Sequence, residues 1–83
     1  MIQYYYLKDI KRIGKRDKEI YYLLDKEKGW ILDEEKKIID RLIGFDSTKT
    51  EDSKSRIGNM EIINLIEEID AEEVIERLTS REN

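Results

Sequence analysis

Three adjacent carboxylate pairs, Glu34–Glu35, Glu67–Glu68 and Glu72–Glu73, are the first residues whose type and spacing could do chemistry. Two carboxylates divide the acid and base roles when both face one reacting atom. Sequence neighbours on a helix or strand diverge and cannot do so. They read instead as helix N-terminal charge or as a solvated face. Ser47, Ser53, Ser55 and Ser80 have no base to activate them. The chain has neither His nor Cys, so no Ser–His or Cys–His nucleophile can be assembled. The same absence removes the commonest transition-metal ligands. The polar run from Asp46 superficially matches a calcium loop, but Glu51 stands where that loop requires Gly and Ile57 where it requires a bidentate Glu. No phosphate-cradling glycine motif is present. No catalytic residue, metal site or cofactor is therefore expected, and the chain reads as non-enzymatic.

What remains is surface. Net charge is −4 and unevenly placed: residues 1–30 carry a surplus of three positive charges and residues 31–83 a surplus of seven negative ones. Between Ile57 and Glu76 there are seven acids and no base. An acidic helical face of this kind can imitate the charge row of DNA and occupy a basic groove. The expected partner surface is Glu61, Glu67, Glu68, Glu72, Glu73 and Glu76. The alternative is aromatic and basic. All five tyrosines lie within the first 22 residues, beside six positive charges between Lys8 and Lys18. Tyrosine beside Lys and Arg makes a contact surface for protein or single-stranded nucleic acid. That set is Tyr4, Tyr5, Tyr21, Lys11, Arg12, Lys15 and Arg16.

The elements that must position these residues centre on Gly29–Asp46, GWILDEEKKIIDRLIGFD, which holds the only Trp and the only Phe. Ile38, Ile39, Leu42 and Ile43 form one helical stripe. Asp33 is placed to cap it and Gly44 to end it in a left-handed conformation, giving helix 34–43. Ile2–Leu7, Glu19–Asp25 and Trp30–Leu32 have strand composition. Turns near Gly14–Asp17 and at Lys26–Gly29 would join them as a three-stranded antiparallel meander. Residues 46–58 form a polar loop. Ile62, Leu65, Ile66 and Ile69 fall at helical spacing and predict a helix over 60–68, although Ile63, Leu65 and Ile69 at even spacing would also fit a strand. Asp70 with Glu73 then makes a capping box for a second helix, 71–79. The expected fold is a single α+β domain over residues 1–83: a small three-stranded antiparallel sheet packed by helix 34–43 and an acidic C-terminal helical pair.

A rival parse makes residues 7–25 a helix-turn-helix, with Arg16, Lys18 and Tyr22 facing DNA. Its spacing from Ile10 to Gly14 is one residue short, and Lys11 stands where a small residue lets the two helices touch. The tyrosine pairs also favour strand.

The segments YYLLDKEKGWILDEE, IIDRLIGFD and RIGNMEIINLIEEIDAEE, anchored by Gly29–Trp30, Asp40–Arg41–Leu42 with Gly44, and Ile57–Gly58–Asn59, resemble small accessory proteins of Firmicute phages and mobile elements. The resemblance covers about the last two-thirds of the chain and brings no catalytic residues with it. It implies an anti-defence, anti-CRISPR-like role: binding and inhibiting a host protein or nucleoprotein complex. Two other functions are carried beside it. One is a small DNA-binding regulator using residues 7–25. The other is a small-ligand sponge, with Trp30 and the tyrosines lining a pocket at a dimer interface. A homodimer is compatible with all three. The chain begins directly with MIQYYY and has no apolar stretch long enough for a membrane span, so no membrane partner and a cytoplasmic location are expected.

Overall fold

The tyrosine-rich start of the chain folds as β1, Ile2–Leu7. The computed structural model describes residues 2–47 and 56–80; most of the expected polar loop, residues 48–55, lies outside them. After β1 come β2 (Arg12–Asp17), β3 (Ile20–Asp25), β4 (Gly29–Leu32), α1 (Lys37–Ile43), α2 (Met60–Ile63), β5 (Ile66–Ile69) and α3 (Ala71–Ser80). The α+β class is as expected. The sheet, however, has five antiparallel strands in the order β4-β3-β2-β1-β5, not three.

Each discrepancy has a physical cause. Gly14 and the charges around it predict a turn near Gly14–Asp17, yet Arg12–Asp17 forms the central strand. Only Ile13 among its side chains enters the core. Gly14 serves close approach rather than a turn: a Cβ there would sit 2.6 Å from Ile38 Cδ1 and 3.2 Å from the Tyr22 carbonyl oxygen. The reversal is instead the two-residue Lys18–Glu19 link, with Lys18 at φ 60°. These strands also dispose of the helix-turn-helix parse, since residues 12–17 and 20–25 pair as a hairpin. The C-terminal helical pair is corrected too. Helix α2 stops at Ile63, and Ile66–Ile69 pairs with β1 as an edge strand. Ile66 and Ile69 point to opposite faces of the sheet and both are covered, so the period-2 signal is lost.

Helix α1 begins three residues later than expected because Lys36 takes a left-handed conformation (φ 58°). Asp33 still caps it, at one remove. Its buried carboxylate accepts from the Lys37 N–H (3.1 Å) and the Ile38 N–H (2.8 Å). Gly44 ends the helix in the left-handed region, with its N–H on the Arg41 carbonyl and the Phe45 N–H on that of Asp40. At α3, Asp70 accepts from the Glu73 N–H at 2.8 Å, as the capping pattern predicts.

The two faces of the sheet follow from register. On one face Tyr5, Leu7 and Leu23 pack against Ile38 of α1, with Ile10, Tyr21, Ile31, Leu42 and Ile66 around them. On the other face Ile13 and Ile69 pack against Val74 of α3, flanked by Tyr4, Tyr6, Leu24 and Trp30.

Arg41 pins α1 to the β1–β2 turn through a two-pronged contact with Asp9, Nε–Oδ1 3.0 Å and Nη2–Oδ2 2.6 Å. That contact holds the Asp9 carboxyl below the usual carboxylate range, chiefly through the hydrogen bond from Arg41. A carboxyl with a lowered folded pKa contributes stability that is complete above its unfolded value of about 3.9 and lost as pH falls through the folded value. Urea midpoints measured from about pH 7 to pH 2 should therefore show Asp9→Asn weaker near neutrality and converging on the native protein in acid. Parallel curves would mean that the pair does not contribute.

Candidate interaction surfaces

The acidic set does not form one row. Arg77, on α3, reaches down the sheet side of the helix and lies over the Tyr6 ring, 4.1 Å from its centroid. From there it donates to Glu67 of β5 (3.0 Å) and Glu73 of α3 (2.6 Å). Lys8 adds a second contact to Glu67, at 3.7 Å. Glu67 and Glu73 thus fasten α3 to the sheet. Charge-assisted, two-partner contacts of Arg hold an orientation better than a single point charge would.

Glu61, Glu68, Glu72 and Glu76 are exposed and have no ion-pair partner among the described residues. Glu72 and Glu76 are one helical turn apart, on the side of α3 opposite the buried Val74. Glu68 leaves β5 on the α1 side of the sheet, and Glu61 lies on α2. The free acids therefore border the β5 edge of the sheet from both sides.

The aromatic and basic set is divided more sharply. Tyr5 is 3% exposed and sits in the core, where burial pushes its hydroxyl pKa upward. It is unavailable to a partner. Tyr21 packs on the same cluster. Arg12 shares that face and donates to the Leu24 carbonyl (3.3 Å), Arg16 shares it and is exposed, and Lys11 stands in the β1–β2 turn at φ 53°.

Of that set only Tyr4 and Lys15 reach the opposite face, and there they join Tyr22, Trp30 and Leu32. Tyr4, Lys15, Tyr22 and Leu32 are successive cross-strand neighbours on β1, β2, β3 and β4. The Lys15 ammonium lies 4.4 Å from the Trp30 ring centroid and 5.4 Å from that of Tyr22, within cation–π range. Tyr4 and Trp30 lean together to 6.2 Å between centroids. The signal for this grouping was the alternation Ile20–Tyr22–Leu24 set against Trp30 and Leu32.

Open clefts among the described residues include two of similar size. One, of about 430 Å³, is lined by Ile10, Lys11, Arg12, Leu24, Asp25 and neighbouring turn residues. The other, of about 460 Å³, lies between β1 and the start of α3. Trp30 lines neither of these two. Among the described residues no group of three or more Asp or Glu is placed to hold a metal ion. No helix among them is long and apolar enough to cross a membrane. No protein-family model, curated protein or solved structure matches this chain.

Proposed function

We propose that the chain is a non-enzymatic binding protein whose acidic β5–α3 edge occupies a basic surface on a partner protein and blocks it. The observation that carries this reading is the partition of the acids. Glu67 and Glu73 are used to fix α3 on the sheet, which leaves Glu68, Glu72 and Glu76 exposed along that edge with no ion-pair partner among the described residues. Like charge gathered on both sides of one edge directs association with the opposite charge and disfavours other partners. The basic surfaces that such an edge fits best are those that otherwise hold nucleic-acid backbones. The resemblance to phage and mobile-element accessory proteins agrees with a host target of that kind, and with inhibition as the outcome.

The test uses immobilised protein and a Firmicute lysate, with the Glu68→Lys/Glu72→Lys/Glu76→Lys variant beside the native chain. The native protein should retain a saturable partner, and duplex DNA and rising salt should both displace it. The variant should lose at least tenfold in retention with its melting temperature little changed, because exposed charges contribute little to stability. Retention that is insensitive to salt and survives the reversals would overturn the reading.

A further inference from the structure

The sheet face that carries α3 is only half covered. Val74 packs on Ile13 of β2 and Ile69 of β5, and Arg77 covers Tyr6, so the helix lies over β5, β1 and the Ile13 end of β2. Leu24 and Trp30 are partly buried against that cluster, and among the described residues no helix packs over the rest of β3 and β4. The floor of this bare half is Tyr22, Leu24 and Trp30, with the Lys15 ammonium over the Trp30 and Tyr22 rings. Ile20 is 48% exposed there and Leu32 54%.

The helix contributes a wall to this floor. Along α3, Glu73 and Arg77 lie on one side of Val74 and are turned toward β5 through Glu67. Helical spacing puts Ala71, Ile75 and Leu78 on the other side, toward the bare half. Ile75 is 64% exposed and Leu78 39%. Together with Ile2, these are five of the eight exposed large hydrophobics in the described residues. Their exposed surface is on the order of 500 Å² per copy, near the upper end for the largest patch on a monomer and about half of a small specific interface.

We infer that a second copy of this chain fills the step, bare half against bare half, related by a twofold axis running along the strands. The fit follows from layer heights. A sheet packs on a sheet at about 10 Å, and a helix on a sheet at about the same distance. The partner's sheet and this copy's α3 would therefore occupy one layer. The floor of one copy meets the floor of the other, and the Ile75–Leu78 flank of each helix abuts the other's β4 edge at Leu32. Each contact is made twice, as an isologous interface requires. Glu72 and Glu76 point away from this layer, so the interface leaves the acidic edge open and stands independently of its proposed use. Lys15 is compatible with the site because its charge rests on the Trp30 and Tyr22 rings.

Sedimentation velocity on the full chain between about 1 and 100 µM tests the inference. The expected result is a species of twice the 10.0 kDa chain mass, with a melting temperature that rises with concentration. Leu32→Glu and Ile75→Glu, both at exposed positions, should each give a monomer with unchanged far-UV circular dichroism. Ile57→Glu, at an exposed isoleucine off this face, should leave the dimer intact. A native chain that stays monomeric at 100 µM with a concentration-independent melting temperature overturns the proposal and assigns the bare face to a different protein. A dimer that persists in both glutamate variants overturns it as well. Should either variant fail to fold, the native melting series decides the matter without it.

Discussion

Ile38→Ala is expected to lower the unfolding free energy by about 3–4 kcal/mol, among the largest effects of a single truncation at the described positions. Ile38 is fully buried and is the side chain through which α1 grips the sheet, between Tyr5, Leu7 and Leu23. A domain of this length holds only roughly 4–12 kcal/mol in total, so the variant should lose much of its folded baseline. The same contact predicts an effect from the other side. Gly14→Ala introduces a Cβ 2.6 Å from Ile38 Cδ1, where the side chain has no space to retreat, and should cost about 1–3 kcal/mol by overpacking. Ile38→Val removes that Cδ1, so the double variant Gly14→Ala/Ile38→Val should be more stable than the two separate losses add up to. Urea unfolding of all four proteins gives the coupling. Strict additivity would show that β2 and α1 do not meet at this point.

The second large effect is expected at Asp33. Its carboxylate satisfies two N–H groups at the start of α1 and is 8% exposed. Removing it leaves both donors without a partner at the positive end of the helix, and Asp33→Ala should cost about 2–3 kcal/mol. Asp33→Asn keeps a single oxygen acceptor and should recover about half of that. A loss under about 0.5 kcal/mol for the alanine variant would mean that water replaces the carboxylate at no cost.

The strands that could be read from sequence are those whose composition matches their environment. Ile2–Leu7, Ile20–Asp25 and Trp30–Leu32 carry aromatic and branched residues on a sheet that is apolar on both sides. Gly44 and Asp70 were legible because caps are local. The central strand was not, because its burial comes from neighbours on both sides rather than from its own side chains. Strand β5 was hidden for the converse reason: Ile66 and Ile69, three apart, look helical until each is seen to face a different layer. Of the candidate surfaces, the residue types were legible and their allegiances were not. Nothing in the spacing of Glu67 and Arg77 announces that one side chain will lie across β1 to join them. Tyr5 and Tyr4 are adjacent and alike, and only strand alternation sends one into the core and the other to the open face.

The pairing of β5 with β1 has a consequence for biosynthesis. Strands β1 to β4 form a run of successive hairpins and can assemble as each one leaves the ribosome. Strand β1 stays an unprotected edge until Ile66–Ile69 has been made, and an aromatic edge exposed in a nascent chain invites pairing with its neighbours. Charge beside an exposed edge disfavours such pairing, and the positively charged run from Lys8 to Lys18 follows β1 directly.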